Sequence, residues 1–502
     1  MAMSGFQLVE ATIASIHRAF RSGELSARHL TELYLARIDA YDRSGPMLNA
    51  VIAVNERALE DAGTLDERFH VTQKLMGPLH GIPVVLKDSI ATVDVDTMYG
   101  SVAFRGFRPS EDATVTRLLR DAGAVILGKT ALPDFACSWF GHSSASGETL
   151  NPYDPARDPG GSSSGTASAV AANLSALGVG GDTGGSIRVP SSFNSVVGLR
   201  PTTGLISRKG VAPLVSFEDT CGPVTRSVRD AACLLDVLAG YDPGDPYTAA
   251  ATRGRPVAGY AAALHEDRLN GARIGVLRDF FGTDHDAQEV NTVIEQALCD
   301  MAAAGAEIVD PVAVPEAAEL LNAATLYAQQ CRHDLNEFLS SLPNSPVRSF
   351  DDLYSNKVYH PLLDFWDVIA TGPDRPEEDP AYYRGFWARE RLQRHVLNAM
   401  AASDVDVFAY PSVQVPPPLK SDVAACRWTT LNFPANTAMA PHATMPAISM
   451  PGGFTGGGLP VGIELLGRPY EEERLLGLAY AFEQSCSRRR PPAFAPALPG
   501  ED

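Results

Sequence analysis

The stretch that most limits how this chain can fold is residues 160–199, in which two clusters of glycine and hydroxyl residues, 160–165 and 181–186, flank a run of small residues. Glycine at that density is typical of backbone that bends through positive φ or comes close to a ligand. The run between the clusters predicts a short helix followed by a strand. Hydroxyl groups beside such bends are candidate nucleophiles.

Three interpretations of this stretch follow from the residues alone. A phosphate-binding loop needs a Lys-Ser or Lys-Thr ending, which residues 181–186 lack. A hydrolase nucleophile elbow is formally matched by Gly-Ser-Ser-Ser-Gly at 161–165, but an elbow follows a buried strand, and the preceding residues NPYDPARDPG predict none. A pair of Gly-Ser loops without chemistry is the third interpretation.

Residues 160–204 closely resemble the amidase signature family of serine hydrolases, whose pattern is a Gly-Gly-Ser-Ser loop followed by an Asp-x-Gly-Gly-Ser-Ile-Arg turn. In that family the nucleophile is the serine of Gly-Gly-Ser. A second serine, in a cis peptide, precedes it by 24 residues and a lysine by a further 75, and Ser186, Ser162 and Lys87 reproduce both spacings here. The agreement of motif and spacings makes the resemblance specific.

The resemblance implies a role for each of these three side chains. Ser186 attacks a carbonyl carbon, Ser162 passes the proton on, and Lys87 receives it and returns it to the leaving group. The resemblance also implies an oxyanion hole built from four consecutive backbone N–H groups, those of Thr183, Gly184, Gly185 and Ser186. Two further side chains match supporting positions to which we assign no chemical step, Ser163 and Arg188.

The residue types are compatible with such chemistry. A serine hydroxyl is a weak nucleophile at neutral pH and needs a base. Histidine is the usual base, but none of the eleven histidines stands in a motif that links it to Ser186. A lysine can serve if burial lowers its pKa, and Lys87 ends the apolar run 82–87, which predicts a short buried strand. We interpret Asp182 as a structural hydrogen-bonding residue rather than an acid.

The pattern outside the motif is that of an α/β protein. Apolar side chains at helical spacing predict helices at 112–122, 286–304 and 471–484. Short apolar runs predict strands at 124–129, 272–281, 306–310, 405–411, 444–451 and 460–467.

The family resemblance extends from about residue 25 to residue 485, including GPLHGIPVVLKD and LPVGIELLG. It implies one α/β/α sandwich around a mixed sheet of about eleven strands. We therefore expect residues 1–485 to form a single domain. The remaining residues, 486–502, predict a mobile tail.

Composition limits the partners and the surroundings of the protein. A formal charge of −19 and a pI near 5.0 argue against nucleic acid. No run approaches the length of a membrane span, and seven scattered cysteines form no metal-binding spacing. We expect a cytoplasmic monomer or homodimer that acts on a small molecule. The resemblance implies a reaction without metal or organic cofactor.

The substrate is less constrained than the chemistry. The irregular loop at 132–150 carries four candidate pocket residues just upstream of Ser162, namely Phe135, Cys137, Trp139 and Phe140. Such a lining favours a neutral, rather hydrophobic acyl or aryl group, joined through an amide, aryl-acylamide or carbamate (urethane) bond. The aromatic-rich residues 340–390 are either a substrate-facing insertion or a helical surface elaboration, and we assign the region 316–440 no role.

Three alternatives stay open at this point. The same family includes the glutaminase subunit of transfer-RNA amidotransferases. An unrelated Ser-His-Asp esterase would use Ser163 as its nucleophile. A non-catalytic partner subunit is disfavoured because Lys87 and Ser186 are both present.

Overall fold

The computed structural model describes residues 5–253 and 255–501. Eleven strands form one mixed sheet, and two short strands form a separate hairpin. The strands are β1 (Val51–Val54), β2 (Pro83–Lys87), β3 (Val125–Thr130), β4 (His142–Ser143), β5 (Gly147–Glu148), β6 (Leu177–Asp182), β7 (Val197–Arg200), β8 (Thr220–Thr225), β9 (Arg273–Leu277), β10 (Glu307–Val312), β11 (Val407–Pro411), β12 (Ala447–Phe454) and β13 (Pro460–Leu466). The hairpin consists of β4 and β5.

Helices cover both faces of this sheet, as expected for an α/β/α sandwich. They are α1 (Ile13–Ser22), α2 (Ala27–Arg37), α3 (Ala58–Thr72), α4 (Thr114–Asp121), α5 (Ser164–Ala171), α6 (Arg188–Phe193), α7 (Val228–Leu238), α8 (Gln288–Ala303), α9 (Ala317–Ala324), α10 (Tyr327–Ser341), α11 (Phe350–Ser355), α12 (Phe365–Ala370), α13 (Pro380–Ala402), α14 (Lys420–Ala424), α15 (Met439–His442) and α16 (Glu472–Ser485). In the described part of the chain, no helix is both long and apolar enough to cross a bilayer.

The order of the strands places two motif segments side by side. The sheet runs β1-β3-β2-β6-β8-β7-β12-β13-β11-β9-β10. Strand β2 is parallel to both of its neighbours, β3 and β6, whereas β6 and β8 are antiparallel. Because parallel strands end at the same edge of a sheet, the ends of β2 and β6 bring Lys87 beside Gly181 and Asp182.

The apolar pattern explains why β2 lies in the middle of the sheet. Every residue from Pro83 to Lys87 is buried, which is typical of a parallel strand covered on both faces. Helix α5, built from Ser, Gly, Thr, Ala and Val, packs closely on this part of the sheet. A β-carbon at Gly165 would stand 2.3 Å from the carbonyl oxygen of Ala50, so small residues are required where this helix meets the sheet.

The predicted elements are present, with shifted ends. The strand predicted at 272–281 ends at Leu277, because residues 278–280 form a short helical turn. The strand predicted at 444–451 begins at Ala447 and continues to Phe454, where it pairs with β13. A sequence pattern marks where an apolar run lies, but hydrogen bonding to a neighbour sets where the strand stops.

The residues between β10 and β11 form a helical segment, residues 317–402, which comprises α9 to α13. Its core is aromatic: the ring of Trp366 lies 5.0 Å from Phe350 and 4.3 Å from Tyr359. Trp366 also contacts Phe135 of the 132–150 loop, with 6.3 Å between ring centroids. The helical segment is therefore packed onto the loop that precedes Ser162 rather than projecting from the surface.

The carboxyl-terminal residues differ from the expectation of a mobile tail. Arg37 is fully buried and forms an ion pair with Glu501 at 2.7 Å. Its guanidinium also donates to the carbonyl oxygens of Ala495 and Pro496. The sequence carries no local signal for this anchor, because the partner of Glu501 lies more than 460 residues away in the chain. Residue 502 lies outside the described residues.

Candidate active site

The side chains of Lys87 and Ser162 meet in the interior of the protein. The Lys87 ammonium donates hydrogen bonds to Ser162 Oγ at 2.7 Å and to the carbonyl oxygen of Gly181 at 3.0 Å. Lys87 is 1% exposed and Ser162 is fully buried. Burial lowers the pKa of Lys87 to about 8, against the opposing attraction of Asp182. At that pKa a neutral amine is accessible close to physiological pH.

The loop that carries Ser162 is tied to the turn that carries Ser186. The peptide bond between Gly161 and Ser162 is cis, in agreement with the family resemblance. The N–H of Ser163 donates to the carbonyl oxygen of Ser186 at 3.0 Å. A β-carbon at Gly161 would stand 2.9 Å from the carbonyl oxygen of Ser138, so the preceding loop presses directly against this peptide.

Residues 183–186 form a turn with unengaged backbone donors. Among the hydrogen bonds of the described residues, none uses the backbone N–H groups of these four residues. A side chain at Gly185 would collide with Thr437, whose Oγ1 would lie 1.9 Å from the added β-carbon. The Thr437 hydroxyl in turn donates to the carbonyl oxygen of Gly184 at 2.7 Å. Thr437 therefore supports the turn, and the four N–H groups stay without a partner among the described residues.

Asp182 anchors this turn through two arginines. Its carboxylate accepts from Arg200 at 2.8 Å and from Arg188 at 3.2 and 3.3 Å, and all three side chains are fully buried. Burial alone would raise the pKa of Asp182, but Arg188 and Arg200 outweigh it and hold the pKa far below its usual range. Arg188 also pairs with Glu464 at 2.5 Å. A permanently ionised Asp182 fits the structural role predicted from the sequence.

The four predicted pocket residues do not share one environment. Trp139 is half-buried, and its Cη2 atom would lie 3.1 Å from a β-carbon at Gly184, so it faces the turn. The other three are buried: Phe135 stacks with Tyr99 at 6.0 Å, the Cys137 thiol donates to the Phe135 carbonyl oxygen, and Phe140 packs on Phe433 at 5.1 Å. Neighbouring aromatic residues in a sequence do not reveal which of them faces a cavity.

Ser163 lies in surroundings that do not suit a nucleophile. Its Oγ donates to the Gly181 carbonyl oxygen at 3.1 Å and accepts from the Gly181 N–H at 3.3 Å, and the residue is fully buried. In residues 5–253 and 255–501, no histidine nitrogen hydrogen-bonds to Ser163. The Ser-His-Asp alternative therefore has no histidine base at this position, and the Ser163 hydroxyl is already engaged with Gly181.

A second buried polar cluster lies beside the turn and was missed by the sequence analysis. His442 Nδ1 is 2.9 Å from Glu218 Oε1, and its Nε2 is 3.2 Å from Thr325 Oγ1. Arg389 also pairs with Glu218. Burial, together with the nearby charges of Arg389 and Arg200, lowers the pKa of His442 well below its ordinary value.

The helical segment contributes one further residue, Tyr327, which faces the turn. A β-carbon at Gly184 would lie 2.6 Å from its hydroxyl oxygen. Neither Tyr327 nor Thr437 stands in a motif, and each lies more than 140 residues from the turn in sequence. Both residues lie in the region 316–440, to which the sequence assigns no role.

Comparison with known proteins identifies the family of the chain. The family model described as Amidase matches residues 29–476. A Glutamyl-tRNA(Gln) amidotransferase subunit from Prochlorococcus marinus is 37% identical over 496 residues, covering 95% of this chain and 97% of its own.

Two solved structures are similar over nearly the whole chain. The native peptide amidase from Stenotrophomonas maltophilia superposes with a TM-score of 0.86 at 38% identity, covering 97% of this chain and 99% of its own. A Glutamyl-tRNA(Gln) amidotransferase subunit from Thermotoga maritima superposes with a TM-score of 0.76 at 27% identity, covering 96% of each chain.

Proposed function

The chain belongs to the amidase signature family and is an enzyme that acts on carbon–nitrogen bonds, and on this premise we propose that it hydrolyses the amide bond of neutral, largely hydrophobic compounds through Lys87, Ser162 and Ser186. The observation that carries the proposal is the 2.7 Å hydrogen bond from Lys87 to Ser162 beside the Ser186 turn. A buried lysine bonded to a serine hydroxyl is a base placed to accept a proton through that hydroxyl.

The proposed reaction runs in two halves. Neutral Lys87 takes the proton of Ser162, Ser162 takes that of Ser186, and Ser186 Oγ forms a bond to the carbonyl carbon. The N–H groups of residues 183–186 stabilise the resulting oxyanion. The proton then returns along the same path to the leaving nitrogen as the C–N bond breaks. In the second half, water attacks the acyl-enzyme and releases the acid and the free Ser186.

The charges around the turn support a neutral substrate. Three buried arginines near the turn are each paired with a carboxylate: Arg188 and Arg200 with Asp182, and Arg389 with Glu218. An anionic substrate group would have to compete with a buried partner, and leaving a buried charge unpaired costs about 3–5 kcal/mol. The half-buried indole of Trp139 beside the turn offers an apolar contact instead.

A second candidate function rests on the sequence relatives. The Glutamyl-tRNA(Gln) amidotransferase subunit from Prochlorococcus marinus matches 95% of the chain. In that role the protein would release ammonia from glutamine as one component of a larger enzyme. The TM-score is higher with the peptide amidase, 0.86, than with the Thermotoga protein, 0.76, which favours amide hydrolysis over the amidotransferase role.

The proposal is tested by hydrolysis of a substrate panel. The panel contains an aromatic acyl amide, its anilide, the matching ester, an aryl carbamate and free glutamine. We expect the amide or anilide to be turned over and glutamine not to be. In Ser186→Ala, hydrolysis should fall by about 10⁴-fold, because the acyl-enzyme cannot form.

Covalent labelling identifies the nucleophile independently. Intact-mass spectrometry after treatment with a serine-directed inhibitor should show one adduct on the wild type and none on Ser186→Ala. Ser340→Ala, which removes an exposed hydroxyl from α10, is the matched control and should keep the adduct. Activity and labelling that persist in Ser186→Ala would overturn the assignment of the nucleophile, and activity confined to glutamine would favour the amidotransferase role.

A further inference from the structure

The hydroxyl of Tyr327 is buried without a hydrogen-bond partner among the described residues. A buried hydroxyl in that state costs about 1–3 kcal/mol relative to one that is satisfied. Tyr327 begins helix α10, the first long helix of the helical segment. Because Tyr327 lies against the turn that carries Ser186, its unpaired hydroxyl is a candidate for binding a ligand.

The hydroxyl is directed at the turn that carries Ser186. A β-carbon at Gly184 would lie 2.6 Å from Tyr327 Oη and 3.1 Å from Trp139 Cη2. The absence of a side chain at Gly184 therefore lets the Tyr327 phenol and the Trp139 indole approach the turn of residues 183–186 closely.

The ring of Tyr327 is held in place by its neighbours. It makes an edge-to-face contact with Phe365 at 6.0 Å and a tilted contact with His442 at 5.7 Å. A phenol fixed on two sides presents its hydroxyl in one direction, so a ligand would meet it without a large loss of side-chain entropy.

The polar groups next to Tyr327 are already engaged. Both ring nitrogens of His442 have partners, Glu218 and Thr325. The Thr437 hydroxyl donates to the Gly184 carbonyl oxygen. Burial raises the pKa of Tyr327 far above its ordinary value, so the phenol stays protonated and can donate. None of the described residues accepts a hydrogen bond from it, so its acceptor is a water or a bound ligand.

We propose that the Tyr327 hydroxyl donates a hydrogen bond to an acceptor oxygen on the acyl side of the substrate, next to the scissile carbonyl, and thereby selects substrates that carry such an oxygen. The inference rests on the proposed function and adds a specificity-determining residue to it. The bond satisfies in the complex a hydroxyl that has no partner among the described residues of the free enzyme.

The test compares two amides that differ in this acceptor. N-acetyl-phenylalaninamide carries an acetylamino oxygen beside the scissile carbonyl, and hydrocinnamamide lacks it. In Tyr327→Phe, kcat/KM for the first should fall by about tenfold, the effect of one hydrogen bond, while kcat/KM for the second stays within about twofold. The melting temperature should stay the same or rise, because the variant removes a hydroxyl that no described residue of the free protein satisfies.

Tyr260→Phe is the matched control. Tyr260 likewise has a buried hydroxyl without a partner among the described residues, but the whole residue is buried and packs in the main core near Asp236. We expect its kcat/KM for both amides to match the wild type. A melting temperature that drops by several degrees in Tyr327→Phe would show that the hydroxyl serves the free protein.

Two outcomes separate the inference from the proposed function. Equal losses on both amides in Tyr327→Phe, or no loss on either, would overturn the role of Tyr327 while the wild-type activity upholds the proposed function. A wild-type enzyme that hydrolyses neither amide and takes no label at Ser186 would refute the proposed function, and this inference with it.

Discussion

The turn at 182–186 and the helical segment at 317–402 meet at the same site, but different forces hold them. The turn depends on Asp182, whose two arginine partners are as fully buried as it is. The helical segment depends on aromatic contacts and on ion pairs open to solvent, such as Arg332 with Asp351 at 2.7 Å. Charges in a buried, fully paired network are hard to replace one at a time, whereas exposed pairs contribute little.

The two regions separate the residues proposed to carry out the reaction from the residue proposed to select the substrate. The groups proposed to carry out the reaction lie on strands and turns in the middle of a large sheet, where their geometry is fixed on every side. The group proposed to select the substrate, Tyr327, lies at the start of a helix outside the sheet. Substitutions in the two regions should therefore have different effects, and the following predictions test that contrast.

The largest effect is expected for Lys87→Met. Removing the proposed base should lower kcat/KM by about 10⁴-fold. The melting temperature should change by only a few degrees, because methionine fills a similar volume without a buried charge. Amide hydrolysis and thermal unfolding measure the two quantities.

Lys129→Met is the matched control for that variant. Lys129 is a second fully buried lysine, on the neighbouring strand β3, and its ammonium lies 3.4 Å from Asp88. Removing it leaves Asp88 unpaired, so stability should fall while the folded protein keeps its kcat/KM within about tenfold. Equal losses of activity in both variants would contradict a chemical role specific to Lys87.

Asp182→Ala should cause the largest loss of stability. It leaves Arg188 and Arg200 without their shared carboxylate, which costs about 3–5 kcal/mol. Arg332→Ala in the helical segment breaks ion pairs with two exposed partners, Asp351 and Asp374, and should cost about 1 kcal/mol or less. Urea unfolding of the two variants measures the contrast. Similar losses would show that the two regions are held equally tightly.

The pH dependence of kcat/KM reports on Lys87. Because the proposed base is the neutral amine, protonation below its pKa of about 8 inactivates it. We expect kcat/KM to fall about tenfold per pH unit below pH 8 and to level off above it. A profile that is flat from pH 6 to 9 would argue against lysine as the base.

A smaller effect is expected where the loop before Ser162 meets the helical segment. His142 of that loop stacks on His360 at 4.8 Å. Burial, assisted by the charge of His360, lowers the pKa of His142 to about 3. The unfolded chain binds a proton at this histidine below about pH 6.5, but the folded protein does not. The stabilisation that comes from keeping His142 neutral is therefore fully present above pH 6.5, and it is lost as the pH falls towards 3.

At pH 5 this loss amounts to about 2 kcal/mol. Between pH 7 and pH 5, the free energy of unfolding of His142→Gln should fall by about 2 kcal/mol less than that of the wild type. Urea unfolding at each pH measures both. His285→Gln, at an exposed histidine, should keep the wild-type decline. An identical decline in wild type and His142→Gln would show that His142 is not held neutral by burial.

Much of the fold and the centre of the site could be predicted from local pattern. The apolar run 82–87 is a strand that ends at Lys87, and the glycine-rich clusters are the two loops that meet beside it. Such features are local, because a few consecutive residues specify a strand or a turn. The proposed pocket shows the limit: of Phe135, Cys137, Trp139 and Phe140, only Trp139 faces Gly184. A cluster of aromatic residues does not state which ring borders a cavity.

The sequence by itself determined several strands and helices of the α/β pattern, the spacing of Lys87, Ser162 and Ser186, and the family that these residues identify. The tertiary structure alone decided which distant groups meet them. The approach of Tyr327 and Thr437 to Gly184, the pairing of Arg188 with Glu464 and the anchoring of Glu501 by Arg37 join residues more than 140 positions apart. Such contacts depend on the packing of separate elements, and no short pattern encodes which side chain of one element will reach another.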